Sequence, residues 1–217
     1  VLEGMANSSG RHKIITMETE HKAVLDTCAH LSGAEVVYLK PESDGLLSLD
    51  SLAKVLDDAV LLVSVMLVNN ETGVIQPLKE IAGMAHDAGA LMHSDLAQSV
   101  GKLPWTVDSL AIDLGSLSAH KVHGPKGIGA LYVRRGSCRV AEQQHGGHHE
   151  RGMRSGTLPT HQIVGMGEAY RIAQLESHAE IERLNQYRDQ IEAAIEQVGG
   201  IRCNGQRGVP HILNITI

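Results

Sequence analysis

The stretch Ser118-Ala119-His120-Lys121-Val122-His123-Gly124-Pro125-Lys126-Gly127 gathers an amine, a hydroxyl and imidazoles in a glycine-bearing loop directly after an apolar run. An amine attacks a carbonyl only in its neutral form, which burial and neighbouring positive charge favour. Lys121 is therefore a candidate Schiff-base former and is expected to be partly buried. Ser118 and His120 carry donors suited to a phosphate, and Gly124 and Gly127 let backbone approach closely. A second group, Met92-His93-Ser94-Asp95-Leu96-Ala97-Gln98-Ser99, also closes an apolar run. Its Asp95 could keep a pyridine nitrogen protonated and so make the ring an electron sink, the usual protein contribution to chemistry with pyridoxal 5′-phosphate (PLP). A third, Val68-Asn69-Asn70-Glu71-Thr72-Gly73, could offer amide donors to a ring oxygen. Singly, each reads as a cap, a solvated charge or a turn; convergence of all three on one sheet edge would make a site.

The elements that must position them alternate between apolar β-rich runs and helix-length amphipathic ones, the pattern of a mostly parallel sheet with helices on both faces. Strands are predicted at 13–17, 35–39, 59–68, 90–93, 110–117 and 129–134, and helices at 21–31, 50–57 and 78–88. The run Ala-Val-Leu-Leu-Val-Ser-Val-Met-Leu-Val from Ala59 has the near-continuous apolarity of a strand buried on both faces. After Thr157, Leu184, Tyr187, Ile191, Ile195 and Val198 recur every three or four residues and predict an apolar stripe on a long helix, stopped by Gly199-Gly200. The run His211 to Ile217 reads as a further strand that begins a second domain. The expected organisation is a cofactor-binding large domain over 1–165, then a connecting helix and the start of a small domain over 166–217.

Composition narrows the function classes. With 42% apolar and 20% charged residues the chain should bury a core. No apolar stretch approaches the roughly 20 residues that span a bilayer, and no leader pattern opens the chain, so no membrane partner is expected. A net charge of -6 with scattered Lys and Arg argues against nucleic acid. Cys28, Cys138 and Cys203 include no CxxC pair, which suits a reducing, cytoplasmic compartment.

In this order along the chain, His12 to Thr16, Thr19-Glu20-His21-Lys22-Ala23-Val24-Leu25-Asp26, the Asn-Asn-Glu-Thr-Gly turn, Asp95 with Gln98, Ser118-Ala119-His120-Lys121 and Arg151-Gly152-Met153-Arg154-Ser155-Gly156-Thr157-Leu158-Pro159 resemble the cysteine desulfurases of the NifS/IscS type. The resemblance implies a PLP-dependent transferase-like α/β fold (fold type I) with a mostly parallel mixed sheet. It also implies roles. Lys121 would hold PLP and later shuttle the α-proton, and Asp95 would pair with the pyridine nitrogen. His21 would stack on the ring and assist proton transfer, and Gln98 and Asn70 would lie near the ring hydroxyl or the substrate. Ser118 and His120 would hold the phosphate, and Thr157 would reach the phosphate of the partner subunit in a homodimer. Such enzymes take sulfur from L-cysteine, leave alanine and a persulfide on an enzyme cysteine, and pass the sulfur to an acceptor such as an iron-sulfur scaffold or a thio-cofactor pathway.

The same resemblance places the nucleophilic cysteine and the substrate-carboxylate arginine beyond Ile217, and Val1 within a helix whose N-terminus would cup the phosphate, so truncation at both ends is expected. Cys28, Cys138 and Cys203 are then ordinary structural or surface thiols, and Arg151 and Arg154 are not substitutes for the arginine. His145-Gly146-Gly147-His148-His149-Glu150 departs from the family's glycine run; without a spaced HxxxH pattern or a thiolate it reads as a surface loop near the dimer interface, and no metal is expected. Alternative readings are a non-catalytic PLP-fold subunit acting by dimerisation or partner docking, a selenocysteine lyase, and a chain that folds only with a complementary fragment.

Overall fold

The computed structural model describes residues 10–217; the helix expected around Val1 lies outside the described residues. Six strands form one sheet in the order β2-β1-β3-β4-β5-β6: β1 Lys13–Met17, β2 Glu35–Leu39, β3 Val60–Ser64, β4 Leu91–Asp95, β5 Leu114–Ser118 and β6 Gly129–Val133. Pairings from β2 through β5 are parallel, and β6 returns antiparallel along β5. Helices α1 (Lys22–His30), α2 (Leu49–Ala53) and α3 (Leu78–Asp87) fill the crossovers, and α4 (Thr160–Val198) follows the sheet.

Successive side chains of a strand point to opposite faces, and here the faces have separate cores. Ile15 and Val63 join Leu78, Ile81, Ala82 and Ala85 of α3 on one side, while Ile14 and Leu62 join Val24 and Cys28 of α1 on the other. All five β3 residues are buried, as two covered faces require. The chain stays buried past Ser64 and continues to lean on β4 through Val65 N–H to His93 O and Leu67 N–H to Asp95 O. The regular strand is therefore shorter than the 59–68 span expected. Likewise β5 starts at Leu114, because 106–111 forms a turn with Ala111 in the left-handed region (φ 53°).

One polar element crosses this core. His93 is buried, and its ring bridges Ser64 Oγ (Nδ1, 2.8 Å) and Ser116 Oγ (Nε2, 2.9 Å), tying β3, β4 and β5 together. Both ring nitrogens are satisfied, which makes a buried imidazole tolerable.

Helix α4 is 39 residues long, about 58 Å at 1.5 Å per residue, and buries only Met166 and Arg188. The expected stripe exists by spacing, but Tyr187, Ile191 and Val198 are exposed among the described residues. Polar contacts tie the helix's C-terminal half to the following segment: Arg188, paired within the helix with Glu192, donates to Ile212 O, and Arg207 donates to Glu192 Oε2 at 2.9 Å. The run 211–217 supplies only a two-residue strand, β8 (Ile215–Thr216), paired antiparallel with β7 (Arg202–Cys203). Before it, Val209 N–H bonds Gly73 O at 2.9 Å, and a Cβ on Gly208 would stand 1.8 Å from that oxygen.

The N-terminal part of α4 props the loop after β5. Tyr170 Oη donates to Ser118 O at 3.4 Å, burial pushes its phenol up to about 12, and Ala169 backs Gly124. A Cβ at Gly124 would meet Ala119 O at 2.9 Å and Ala169 Cβ at 3.0 Å, so Gly124 serves this packing. Replacing it with Val should displace the loop and lower stability by about 1–3 kcal/mol, read as a lower urea midpoint with unchanged slope; an unchanged midpoint would refute the close packing.

Candidate active site

In a parallel sheet the carboxyl ends of the strands share one edge, and a crevice outside that edge is where ligands bind in open α/β folds. The segments beyond β1, β3, β4 and β5 meet there around a cavity of ≈360 Å³. His21 comes from the β1–α1 turn, Met66, Val68 and Asn70 from the segment after β3, Asp95 and Gln98 from the end of β4, and Ser118, His120 and Lys121 from the end of β5. Of the eight residues singled out as site residues by sequence, seven, Lys121 among them, thus converge. Thr157 does not: it is exposed and lies outside the lining.

Local geometry explains how each is held. His21 is the N-cap of α1; its Nδ1 accepts the Ala23 N–H at 3.1 Å, so in the neutral ring the proton lies on Nε2. Asp95 gives Oδ1 to the Ala97 N–H at 2.8 Å, and its other oxygen has no hydrogen bond among the described residues. Ser118 Oγ and His120 Nδ1 stand 2.8 Å apart. Lys121 lies in a 3₁₀ turn, Ala119–Val122, whose Ala119 and Val122 are buried while Lys121 is exposed. Lys121 is thus less sheltered than expected above: the turn packs Ala119 and Val122 inward and leaves Lys121 exposed at the cavity wall.

Three supporting residues were not singled out individually by sequence. Asn69 is buried and laces its own turn: Oδ1 accepts from Glu71 N, Thr72 N and Thr72 Oγ1, and Nδ2 donates to Thr19 O at 2.9 Å. An Asn opening a turn is the available signal. Ser116 lines the cavity while bonded to His93. Glu20 is 5% exposed, with Oε1 accepting the Met66 N–H at 2.6 Å and Oε2 buried without a partner. Its burial, opposed by the Met66 bond and reinforced by the negative charge of Asp95, pushes the carboxyl up to about 8.

The thiols and the histidine loop stand apart from this cavity. Burial pushes the Cys28 and Cys138 thiols up, away from the nucleophilic thiolate. His145 pairs with Glu142, and His149 Nδ1 accepts the Gly156 N–H; no group of three or more metal-ligating side chains occurs among the described residues.

Comparison with known proteins gives a consistent picture. The aminotransferase class-V family profile matches residues 1–217. Cysteine desulfurase IscS of Edwardsiella ictaluri is 52% identical over 223 residues, covering 99% of this chain and 55% of that relative, so the chain spans about half the length of the curated relatives it matches. A solved NifS-like protein superposes with a TM-score of 0.93 at 35% identity, over 99% of this chain and 60% of the other. SspA in complex with cysteine superposes with a TM-score of 0.73 at 41% identity, over 78% and 50%.

Burial holds His93 down at about 4, against an ordinary 6.5. Its depressed value means that the unfolded chain binds a proton the native chain refuses. The His93 contribution is complete above pH 6.5 and is lost as pH falls towards about 4. His93→Gln should therefore flatten the fall in melting temperature across that window; a curve parallel to the parent's would show that His93 does not titrate on unfolding.

Proposed function

Because the chain belongs to the aminotransferase class-V family, we propose that it is the PLP-binding part of a cysteine desulfurase, which converts L-cysteine to L-alanine and transfers the sulfur to an enzyme cysteine as a persulfide. The observation that carries this reading is the cavity in which an amine, a carboxylate and a capped imidazole from three strand ends face one another. Its relatives named as cysteine desulfurases and the cysteine complex of SspA support the same substrate. The selenocysteine-lyase and non-catalytic alternatives gain no support from them.

The residues present fit PLP. The volume of ≈360 Å³ lies within the about 300–1,000 Å³ of small-molecule sites, and the donor set matches each part of the molecule. Lys121 Nζ would hold the aldehyde carbon, the available Asp95 oxygen the ring nitrogen, and Ser118 and His120 the phosphate. Gln98 and Asn70 would serve the ring hydroxyl or the substrate. Bound there, PLP supplies an electron sink for negative charge at the substrate α-carbon. Lys121 Nζ takes up the α-proton, and His21, whose Nδ1 is occupied by the Ala23 N–H, holds or delivers a proton at Nε2.

Thr157, exposed and outside the cavity, would serve the phosphate of a second subunit in a homodimer. The sulfur would pass on to a scaffold for iron-sulfur or thio-cofactor assembly in the cytoplasm. Residues 1–165 would form the cofactor domain and 166–217 the connection to a small domain, with α4 running unbroken through the boundary.

Mixing the purified chain with PLP should produce a visible absorption band that L-cysteine shifts. Lys121→Ala should abolish the band and lower any cysteine-dependent alanine formation by about 10²–10⁴-fold. A folded sample with no Lys121-dependent band would overturn the reading.

A further inference from the structure

Resting on the reading that this cavity holds PLP, we propose that Glu20 is a positioning residue kept as a neutral carboxylic acid, which pins the His21 turn to the segment after β3 and leaves Asp95 as the cavity's carboxylate charge.

Glu20 precedes the helix cap His21, and its Oε1 takes the backbone N–H of Met66, a residue of the cavity wall. The neighbouring Thr19 carbonyl is held by Asn69 Nδ2 from the same segment. Two bonds from adjacent residues thus clamp the β1–α1 turn against the 65–70 segment, and the His21 ring, capped onto Ala23, inherits that placement. The clamp leaves Glu20 Oε2 buried with no partner. An ionised oxygen there would be charged, desolvated and unpaired, whereas a bare hydroxyl costs far less.

The electrostatic surroundings favour the same state. Asp95 from β4 presents a negative charge to Glu20, and the Cys28 thiol from α1 is the other titratable group coupled to it. Among the residues lining the cavity, Asp95 is the single carboxylate. A second ionised acid behind it would compete for the proton that the ring nitrogen must keep. A neutral Glu20 gives the backbone anchor without that competition, and glutamine, which retains the acceptor, should replace it.

Infrared spectra of the chain without cofactor, recorded for the parent and Glu20→Gln, test the protonation state. A carboxylic-acid carbonyl band present in the parent at neutral pH, absent from Glu20→Gln and fading as pH rises through about 8 is expected; no such band would overturn the neutral acid. Stability supplies a second reading. The native chain keeps a proton that the unfolded chain sheds above 4.5, so Glu20 costs stability progressively from pH 4.5 to about 8, and Glu20→Gln should remove that slope. Positioning is tested by titrating PLP into folded samples. Glu20→Gln should bind within about threefold of the parent and Glu20→Ala about tenfold or more weaker. Equal binding by the alanine variant, or a glutamine variant as weak as alanine, would overturn the role. Should Glu20→Ala not fold, a folded Glu20→Gln chain that binds PLP about tenfold or more weaker than the parent would still overturn the role. A parent chain that binds no PLP would sink the functional reading, while the infrared and stability arms would still decide the state of Glu20.

Discussion

The parallel register of β1, β3, β4 and β5 brings four chain segments to one edge, and every functional feature depends on it. Parallel pairing needs long crossovers, and these are the helices whose apolar faces build the two cores. Side chains separated by tens of residues then arrive together without any loop having to find them. His93 reinforces the alignment at its middle, since its two hydrogen bonds are satisfied only when β3, β4 and β5 hold their mutual shift. A one-residue slip would leave a buried imidazole without partners, so register and polar satisfaction enforce each other.

Much of this was legible in the sequence, for identifiable reasons. The bounds of β1 and β2 follow from short apolar runs with polar flanks, and α3 from its apolar spacing at Leu78, Ile81, Ala82 and Ala85. The chemistry-bearing residues were legible because each sits at the end of such a run. Strand ends were less so: hydrophobicity reports burial, and the stretch after Ser64 is buried without being regular strand. Within α4 the pattern misleads further, because an apolar stripe predicts a covering surface that the described residues do not supply at Tyr187 and Ile191.

Glu20 marks a different limit. An acid between Thr19 and His21 carries no sign of burial in its spacing, and only the folding of α1 and the post-β3 segment around it encloses the carboxyl. Lys121 differs in the opposite sense: its chemistry suggested shelter, while the 3₁₀ turn leaves the residue exposed at the cavity wall. Both depend on where a side chain points after three elements meet, which spacing along one element cannot carry. His21 joins the two scales, since one ring nitrogen closes a helix and the rest of the ring faces the cavity.

The contact between Gly208 and Gly73 is backbone against backbone, with a hydrogen bond from Val209 and no side chain interposed. A side chain at such a junction would act as a cushion, changing rotamer to absorb a small shift. Here there is nothing to yield, so the joint behaves as a rigid strut. Any tilt of the segment around Gly208 is delivered undamped to the Asn69–Gly73 turn, and thereby to Asn70 at the cavity wall.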